Sequence, residues 1–178
     1  MKKISVDEAK KLLRKYAKDE DSFKKVLKHS EAVRNVAKDI AKDIKDVDLD
    51  FIESASLLHD IGRFQCGPES EDSIKHGIIG GEILRKEGLS EHALVAERHL
   101  GAGISKEDIE EQGLELPLDD YIPVSKEEKI ITHADNVVFG DRIGNVEEAV
   151  ERYRKELGNK VEKKVKKLAE EVKEMKKC

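Results

Sequence analysis

The sequence lacks the features that mark secreted and membrane-inserted proteins. Its 178 residues include two cysteines, Cys66 and Cys178, which lie far apart and in no metal-binding spacing. A structural disulfide is therefore not expected. No apolar run approaches the roughly 20 residues of a membrane span, and nothing resembles a signal peptide. We expect a cytoplasmic protein that has no membrane partner.

The amino-acid composition and net charge indicate which class of protein the sequence encodes. The chain has two glutamines and no tryptophan, whereas 41% of its residues are charged, mostly Lys and Glu, a bias that is common in thermophile proteins. Hydrophobic residues make up 38%, which favours a globular chain over a disordered one. The net charge of −5 argues against a general nucleic-acid-binding surface. The length suits one domain that covers residues 1–178.

Helical periodicity appears along almost the whole chain and strand alternation almost nowhere, which predicts an all-α fold. Capping patterns, apolar stripes and glycines predict helices that begin after Ser5 and that cover about 22–44, 49–60, 76–86, 90–100 and 125–138. Gly62 is expected to end the third of these helices. The segment 101–124 is predicted to be a loop with one short helix at 106–111, and to act as a lid that sets selectivity.

The lysine-rich tail from Asn159 predicts a long C-terminal helix. Its apolar residues follow a heptad spacing, at Val161, Val165, Leu168, Val172 and Met175. Three interpretations of this helix stay open. We favour a solvated helix that lies along the body of the protein. The others are a helix that pairs two subunits in a homodimer, and a lysine surface that binds RNA.

Ionisable residues recur on the apolar faces of the predicted helices. They are His29, His59, His76, His99 and Asp135, with Asp60 directly after His59. A single histidine on such a face is usually a core residue that makes a hydrogen bond. Six ionisable groups aimed at one interior need a shared partner, because each costs several kcal/mol when buried alone. A divalent transition metal is such a partner, and imidazole with carboxylate suits Fe or Mn, which we favour, or Zn or Ni.

Six ligands exceed the four of a tetrahedral ion and suit two ions about 3.5 to 4 Å apart. His59 and Asp60 lie about 100° apart around a helix end, so they approach the ions from two directions. Asp60 is therefore the expected bridge. His133 lies about 200° from Asp135 around its helix and is expected to face elsewhere. His92, at a helix start, is also expected to be an ordinary residue.

The ordered set of His29, His59-Asp60 and Asp135 resembles the HD-domain superfamily of metal-dependent phosphohydrolases. The HDIG at 59–62 is a common form of its signature. HGIIGGEIL, which contains His76, ERHLGAG, which contains His99, and KIITHADNVVFGDR at 129–142 resemble motifs of its two-metal branch. The resemblance covers about residues 20–145. It implies an HD-domain helical bundle with a metal site in its core, followed by a helical extension at 145–178.

The resemblance also implies roles for single residues. His29, His59, Asp60 and Asp135 would hold one metal core, and His76 and His99 would complete a second site. Asp60 and Arg63 would be catalytic, and Arg63 would contact the substrate phosphate. Further candidates for that contact are Arg98 and Arg142; Arg142 is similar to an arginine of diadenosine-tetraphosphate hydrolases, although one residue further from Asp135. No GYP motif follows, so a cyclic-di-GMP phosphodiesterase is not expected.

The expected function is that of a metal-dependent phosphohydrolase or phosphodiesterase. A metal-activated hydroxide would attack a phosphoester or phosphoanhydride of a small phosphorylated molecule, most simply a nucleotide. Mononucleotides, dinucleoside polyphosphates, cyclic nucleotides and RNA ends all remain open as substrates. Two alternatives are a di-iron oxygenase of the same superfamily and a non-catalytic, metal-stabilised binding module.

Overall fold

Nine α-helices account for most of residues 2–68 and 72–177, which is the part of the chain that the computed structural model describes. They are α1 (Val6–Tyr16), α2 (Glu20–Ala41), α3 (Leu49–Leu58), α4 (His76–Lys86), α5 (Ser90–Arg98), α6 (Lys106–Gln112), α7 (Lys126–Asn136), α8 (Val146–Leu157) and α9 (Asn159–Met175). A two-residue antiparallel hairpin, β1 (Val138–Phe139) and β2 (Arg142–Ile143), follows α7. The predicted all-α fold is confirmed.

Side-chain caps explain where several helices begin. Ser5 and Glu8 form the predicted capping box of α1. The carboxylate of Asp19 caps α2, which therefore begins slightly before the predicted start. At α7 only half of the predicted box exists, because Ser125 accepts the Glu128 N–H but the Glu128 side chain does not return the bond.

Helix α3 is enclosed by the rest of the bundle, with seven of its ten residues buried. Ile52 and Ala55 belong to an apolar cluster shared with α2 and α7. Leu57 and Leu58 belong to a second cluster shared with α1, α4 and α5. Because helix α3 lies between the two clusters, the residues that follow it begin in the interior of the protein.

Gly62 is not the helix terminator that the sequence predicts. Helix α3 ends at Leu58, and the chain continues through a 3₁₀ turn, Ile61–Phe64. A Cβ atom on Gly62 would lie 1.9 Å from the carbonyl oxygen of His76. The glycine is therefore required for close packing of this turn against the start of α4, and not for a left-handed backbone conformation.

The C-terminal helices α8 and α9 form a hairpin that packs against α7. Val165, Leu168 and Val172 of α9 are buried, and Met175 packs against the cluster around α2 and α3. The favoured interpretation of the heptad pattern, a helix lying along the body, is therefore confirmed. In the part of the chain described here, each helix is too short or too polar to cross a membrane.

Ion pairs attach α6 to α9. The carboxylate of Asp108 is buried, pairs with Lys164, and lies 3.0 Å from the Nζ of Lys160. Burial alone would raise the pKa of Asp108, but the bonds from Lys164, Ser105 and Lys160 hold it well below its ordinary value of 3.8. Asp108 therefore stays ionised in the folded protein at neutral pH.

Replacing Gly62 with alanine should destabilise the protein by at least about 3 kcal/mol, because the new Cβ collides with backbone atoms that cannot move independently. Gly67 is the matched control, since a Cβ there would meet no atom of the described residues within 4 Å. Urea unfolding of Gly62→Ala and Gly67→Ala tests this. Equal stabilities for the two variants would contradict the packing described for Gly62.

Replacing Asp108 with asparagine should lower the free energy of unfolding at pH 7 by about 1 to 3 kcal/mol, because charged hydrogen bonds are lost. Since the folded protein lowers the pKa of Asp108, its contribution is fully present above the unfolded pKa of about 4 and is lost as pH falls below it. Thermal unfolding between pH 2 and pH 7 should show the difference from the native protein shrinking below pH 4. Glu110→Gln, an exposed change on the same helix, is the control; a difference independent of pH would refute the charge-based explanation.

Candidate metal centre

Four histidine side chains present the same ring nitrogen, Nε2, to one interior site. The opposite nitrogen, Nδ1, lies 2.6 to 2.8 Å from a backbone carbonyl oxygen in each case: His29 with Gly140, His59 with Ser56, His76 with Ser73 and His99 with Ala96. A carbonyl oxygen only accepts hydrogen bonds, so each Nδ1 carries the proton in the neutral ring. Each Nε2 then offers a lone pair to the site.

The carboxylate of Asp60 divides the site into two halves. Its Oδ2 lies 3.6 Å from Nε2 of His29 and 3.8 Å from Nε2 of His59. Its Oδ1 lies 3.1 Å from Nε2 of His76 and 3.4 Å from Nε2 of His99. Asp135 belongs to the first half, with its Oδ1 at 3.0 Å from His29 and 3.5 Å from His59. This arrangement places Asp60 where a carboxylate bridge would stand.

In the part of the chain that is described, several acceptors of the site lack a hydrogen-bond donor. The Nε2 atoms of His76 and His99 are 3.1 Å apart although both carry lone pairs. The buried Nε2 of His59 and Oδ1 of Asp60 have no hydrogen-bond partner among the described residues. A cation satisfies all of these atoms at once. Imidazole nitrogen with carboxylate oxygen is a donor set that fits a divalent transition metal.

Two compact groups of potential ligands emerge from this geometry. His29, His59 and Asp135 form one, and His59, Asp60 and His99 form the other, with ligand atoms in each group within 4.8 Å of one another. His76 lies against the second group through its contacts with Asp60 and His99. The structure thus brings together all six residues that the sequence assigned to a metal site.

The electrostatics of the site favour positive charge. Burial alone would raise the pKa of Asp60 and of Asp135, but the surrounding histidines hold both well below the ordinary aspartate value. Burial alone would lower the pKa of His29, but Asp135 and Asp60 raise it to about 9. Burial lowers the pKa of His99, which keeps that ring neutral. Two ionised carboxylates in a buried site require a cation, which a proton or a metal ion can provide.

A cleft of about 860 Å³ leads from the surface to this cluster. His29, Asp60, His99 and Asp135 lie in its lining, and helices α2 and α8 form two of its walls. Of the segment 101–124, which was predicted to cover the site, only Gly101 lines the cleft. Its helix α6 is attached to α9 by the ion pairs of Asp108. The prediction of a lid is therefore wrong for residues 102–124, all of which are described and lie outside the lining.

The three arginines proposed to contact phosphate lie in different places. Arg63 lines the cleft, with its Nε 3.5 Å from Oδ1 of Asp60. Arg98 instead pairs with Glu128 at 3.0 Å, and Arg142 pairs with Glu148 at 2.6 Å. Neither of these two is in the lining of the cleft. The structure therefore brings only Arg63 of the three to the cluster, because nearby glutamates hold the other two guanidinium groups.

The two remaining histidines, His92 and His133, lie outside the cluster, as predicted. The Nε2 of His92 lies 3.0 Å from the hydroxyl of Ser54, and its ring meets Phe51 edge to face. Burial lowers the pKa of His92 and that of His133 to about 4. Both are therefore neutral at neutral pH, and His92 is buried in the core.

Sequence reasoning missed three residues that line or support the cleft. Arg152 and Tyr153 of α8 lie in its wall. Asn136 supports them, because its Oδ1 accepts from the Tyr153 hydroxyl at 2.8 Å and its Nδ2 donates to Gly101 at 2.6 Å. The only signal in the sequence was an amide directly after Asp135. Nothing in the motifs indicated that α8 would fold back onto the site.

Several known proteins are similar to this chain. The HD domain family model matches residues 26–140. An uncharacterized protein of Methanocaldococcus jannaschii is 43% identical over 138 residues, which cover 75% of this chain and 78% of that protein. Two proteins named tRNA (cytidine(56)-2'-O)-methyltransferase, from Picrophilus torridus and Thermoplasma volcanium, are 38% and 37% identical over 87% and 73% of this chain. The chain spans less than half of their length, 43% and 36% respectively.

A solved structure has the same fold. The HD domain of the phosphodiesterase PgpH from L. monocytogenes superposes with a TM-score of 0.52, and the match covers 92% of this chain and 94% of that one. Its sequence identity is 18%, so the likeness concerns the fold alone.

Divalent metal should stabilise the protein, because the acceptors of the cluster lack donors. Adding Mn²⁺ to metal-stripped protein at about 100 times its dissociation constant should raise the unfolding midpoint by roughly 5–10 °C. His59→Ala should lose most of that rise, since His59 belongs to both ligand groups. His133→Ala is the control and should keep it. A full rise in the His59 variant, measured by calorimetry, would place the ion elsewhere.

Proposed function

The chain belongs to the HD domain family, and we propose that it is a metal-dependent phosphohydrolase acting on a nucleotide or a related phosphoester. The observation that carries this proposal is the position of the divided ligand cluster around Asp60. It lies in the lining of a cleft that opens to solvent, with Arg63 beside it. A metal site with a purely structural role needs no such opening.

The residues of the cluster suit two divalent ions, with Fe or Mn favoured and Zn or Ni as alternatives. His29, His59 and Asp135 would hold one ion, His76 and His99 the other, and Asp60 would contact both. Ions bound there supply Lewis acidity and lower the pKa of water toward neutrality. The backbone carbonyls that accept from each Nδ1 keep the imidazoles in the orientation that metal binding requires.

Arg63 would bind the phosphoryl group next to the cluster. Its guanidinium stands at 3.5 Å from Asp60, so its remaining N–H groups can reach an oxygen of a phosphate placed above that carboxylate. Donors held in place before the reaction stabilise the charge that develops on phosphoryl oxygens. The cleft volume of about 860 Å³ is within the range of about 300–1,000 Å³ that is common for small-molecule sites.

Two relatives carry a similar sequence within proteins named as tRNA methyltransferases. For this reason RNA with a terminal phosphate belongs among the candidate substrates, beside mononucleotides, dinucleoside polyphosphates and cyclic nucleotides. The negative charge of this chain does not favour extended contact with RNA, so an RNA substrate would be bound mainly at its end.

Metal content and phosphate release should be measured on one sample purified without chelator. We expect two equivalents of transition metal and oxygen-independent release of phosphate from at least one substrate of the panel. Asp60→Asn should lower kcat/KM more than about 100-fold, because a metal contact is lost. Arg63→Gln should lower it about 100-fold as a donor to the phosphoryl group disappears. Glu110→Gln, far from the cleft, should leave it unchanged.

The other outcomes of that measurement separate the alternatives. Two equivalents of iron with oxygen consumption and no phosphate release would favour the di-iron oxygenase. Two equivalents of metal with no reaction on any substrate would favour a binding module. Protein that contains no transition metal and takes up none would overturn the proposal.

A further inference from the structure

Arg152 differs from the other arginines in its ion pairing. The chain has eight arginines. Seven have a carboxylate within ion-pair distance: Arg14, Arg34, Arg63, Arg85, Arg98, Arg142 and Arg154. Among the described residues, Arg152 has no such partner. An arginine that lines a cleft without a carboxylate partner has its charge available for a ligand.

Aromatic contacts fix the position of this arginine. Its guanidinium carbon lies 4.6 Å from the ring centres of both Phe139 and Tyr153. One terminal nitrogen, Nη2, donates to the backbone carbonyl of Asn136 at 3.2 Å. These contacts restrict the side chain before any ligand binds, so little further conformational entropy is lost on binding. The Asn136 carbonyl uses one of the five N–H donors and the Tyr153 hydroxyl accepts from a second, so the remaining donors are left for an anion.

The cleft lining contains further charged residues on α2 and α8. Lys25 of α2 lines the cleft and, among the described residues, has no ion pair. Lys28 is neutralised by Asp141. Glu156 lines the cleft one helical turn beyond Arg152 but is not within ion-pair distance of it. Arg152, Lys25 and Glu156 together therefore leave one net positive charge in the lining.

We propose that Arg152 binds a second phosphate of the substrate, distinct from the phosphate placed at Arg63 and the metal cluster. This inference rests on the proposed hydrolase function and narrows its substrate class. A planar guanidinium held by aromatic rings pairs with phosphate through two parallel N–H bonds. The favoured substrate is thus a small molecule with a chain of two or more phosphates, such as a nucleoside triphosphate or a dinucleoside polyphosphate, and not a nucleoside monophosphate.

Binding of inorganic tripolyphosphate and of orthophosphate, measured by calorimetry on the metal-loaded protein in excess Mn²⁺, tests the proposal. Arg152→Gln should weaken tripolyphosphate binding about 10- to 100-fold, as expected for a lost charged hydrogen bond. Orthophosphate binding should change less than about threefold, since one phosphate occupies the cluster. Arg152→Lys should recover part of the loss because its charge remains.

Arg142→Gln is the matched control. Arg142 lies over the same Phe139 ring, at 4.8 Å, but its charge is paired with Glu148 and it does not line the cleft. Its removal should leave both affinities unchanged. Unchanged tripolyphosphate affinity in Arg152→Gln, or an equal loss for both probes, would overturn the proposal.

The test reports binding and not turnover, so it remains informative if no phosphoester is cleaved. A protein that binds tripolyphosphate through Arg152 but hydrolyses nothing would refute the proposed function alone. If Arg152→Gln does not fold, the Nε–H resonance of Arg152 in the native protein, assigned by its loss in Arg152→Lys, provides a second measurement. It should shift when tripolyphosphate is added, and an unmoved resonance would overturn the inference.

Discussion

The fold places hydrogen-bond acceptors together in its interior without matching donors. Four backbone carbonyls accept hydrogen bonds from the Nδ1–H groups of four histidines, so Nε2 carries the lone pair in each neutral ring. Two buried carboxylates, Asp60 and Asp135, add further acceptors. Such an interior is unstable unless a cation occupies it. The enclosure of α3 and the close approach at Gly62 both serve to bring these groups together.

The residues of the cluster could be predicted from the sequence because they follow helical periodicity. His29, His76 and Asp135 each share a face with apolar residues three or four positions away, and this spacing fixes their direction regardless of tertiary structure. The positions of His59 and Asp60 were also predictable, since the residues that follow a buried helix begin in the core. The role of Gly62 was not, because a clash with the His76 carbonyl depends on how two distant turns meet.

The residues that line the cleft around the cluster could not be predicted from the sequence in the same way. Arg98 and Arg142 lie within the sequence motifs of the site and were predicted to contact phosphate. In the structure, Glu128 and Glu148 form ion pairs with their guanidinium groups instead. Only the packed structure shows these pairs. Arg152 and Tyr153 lie beyond the last motif, and their position depends on Asn136 joining α8 to the end of α7. Local pattern thus identified the residues of the cluster, whereas long-range packing decided which side chains surround it.

The neutral character of the four carbonyl partners has a consequence for the charge balance. Two divalent ions, as the proposed function requires, would carry four positive charges, and among the six residues of the cluster only Asp60 and Asp135 would offset them. Carboxylate partners on the imidazoles would have cancelled more of the remainder, as they do in many metal sites. In such a centre the six residues would leave two positive charges uncompensated, which would attract a phosphate dianion and leave a neutral substrate with little electrostatic attraction to the site.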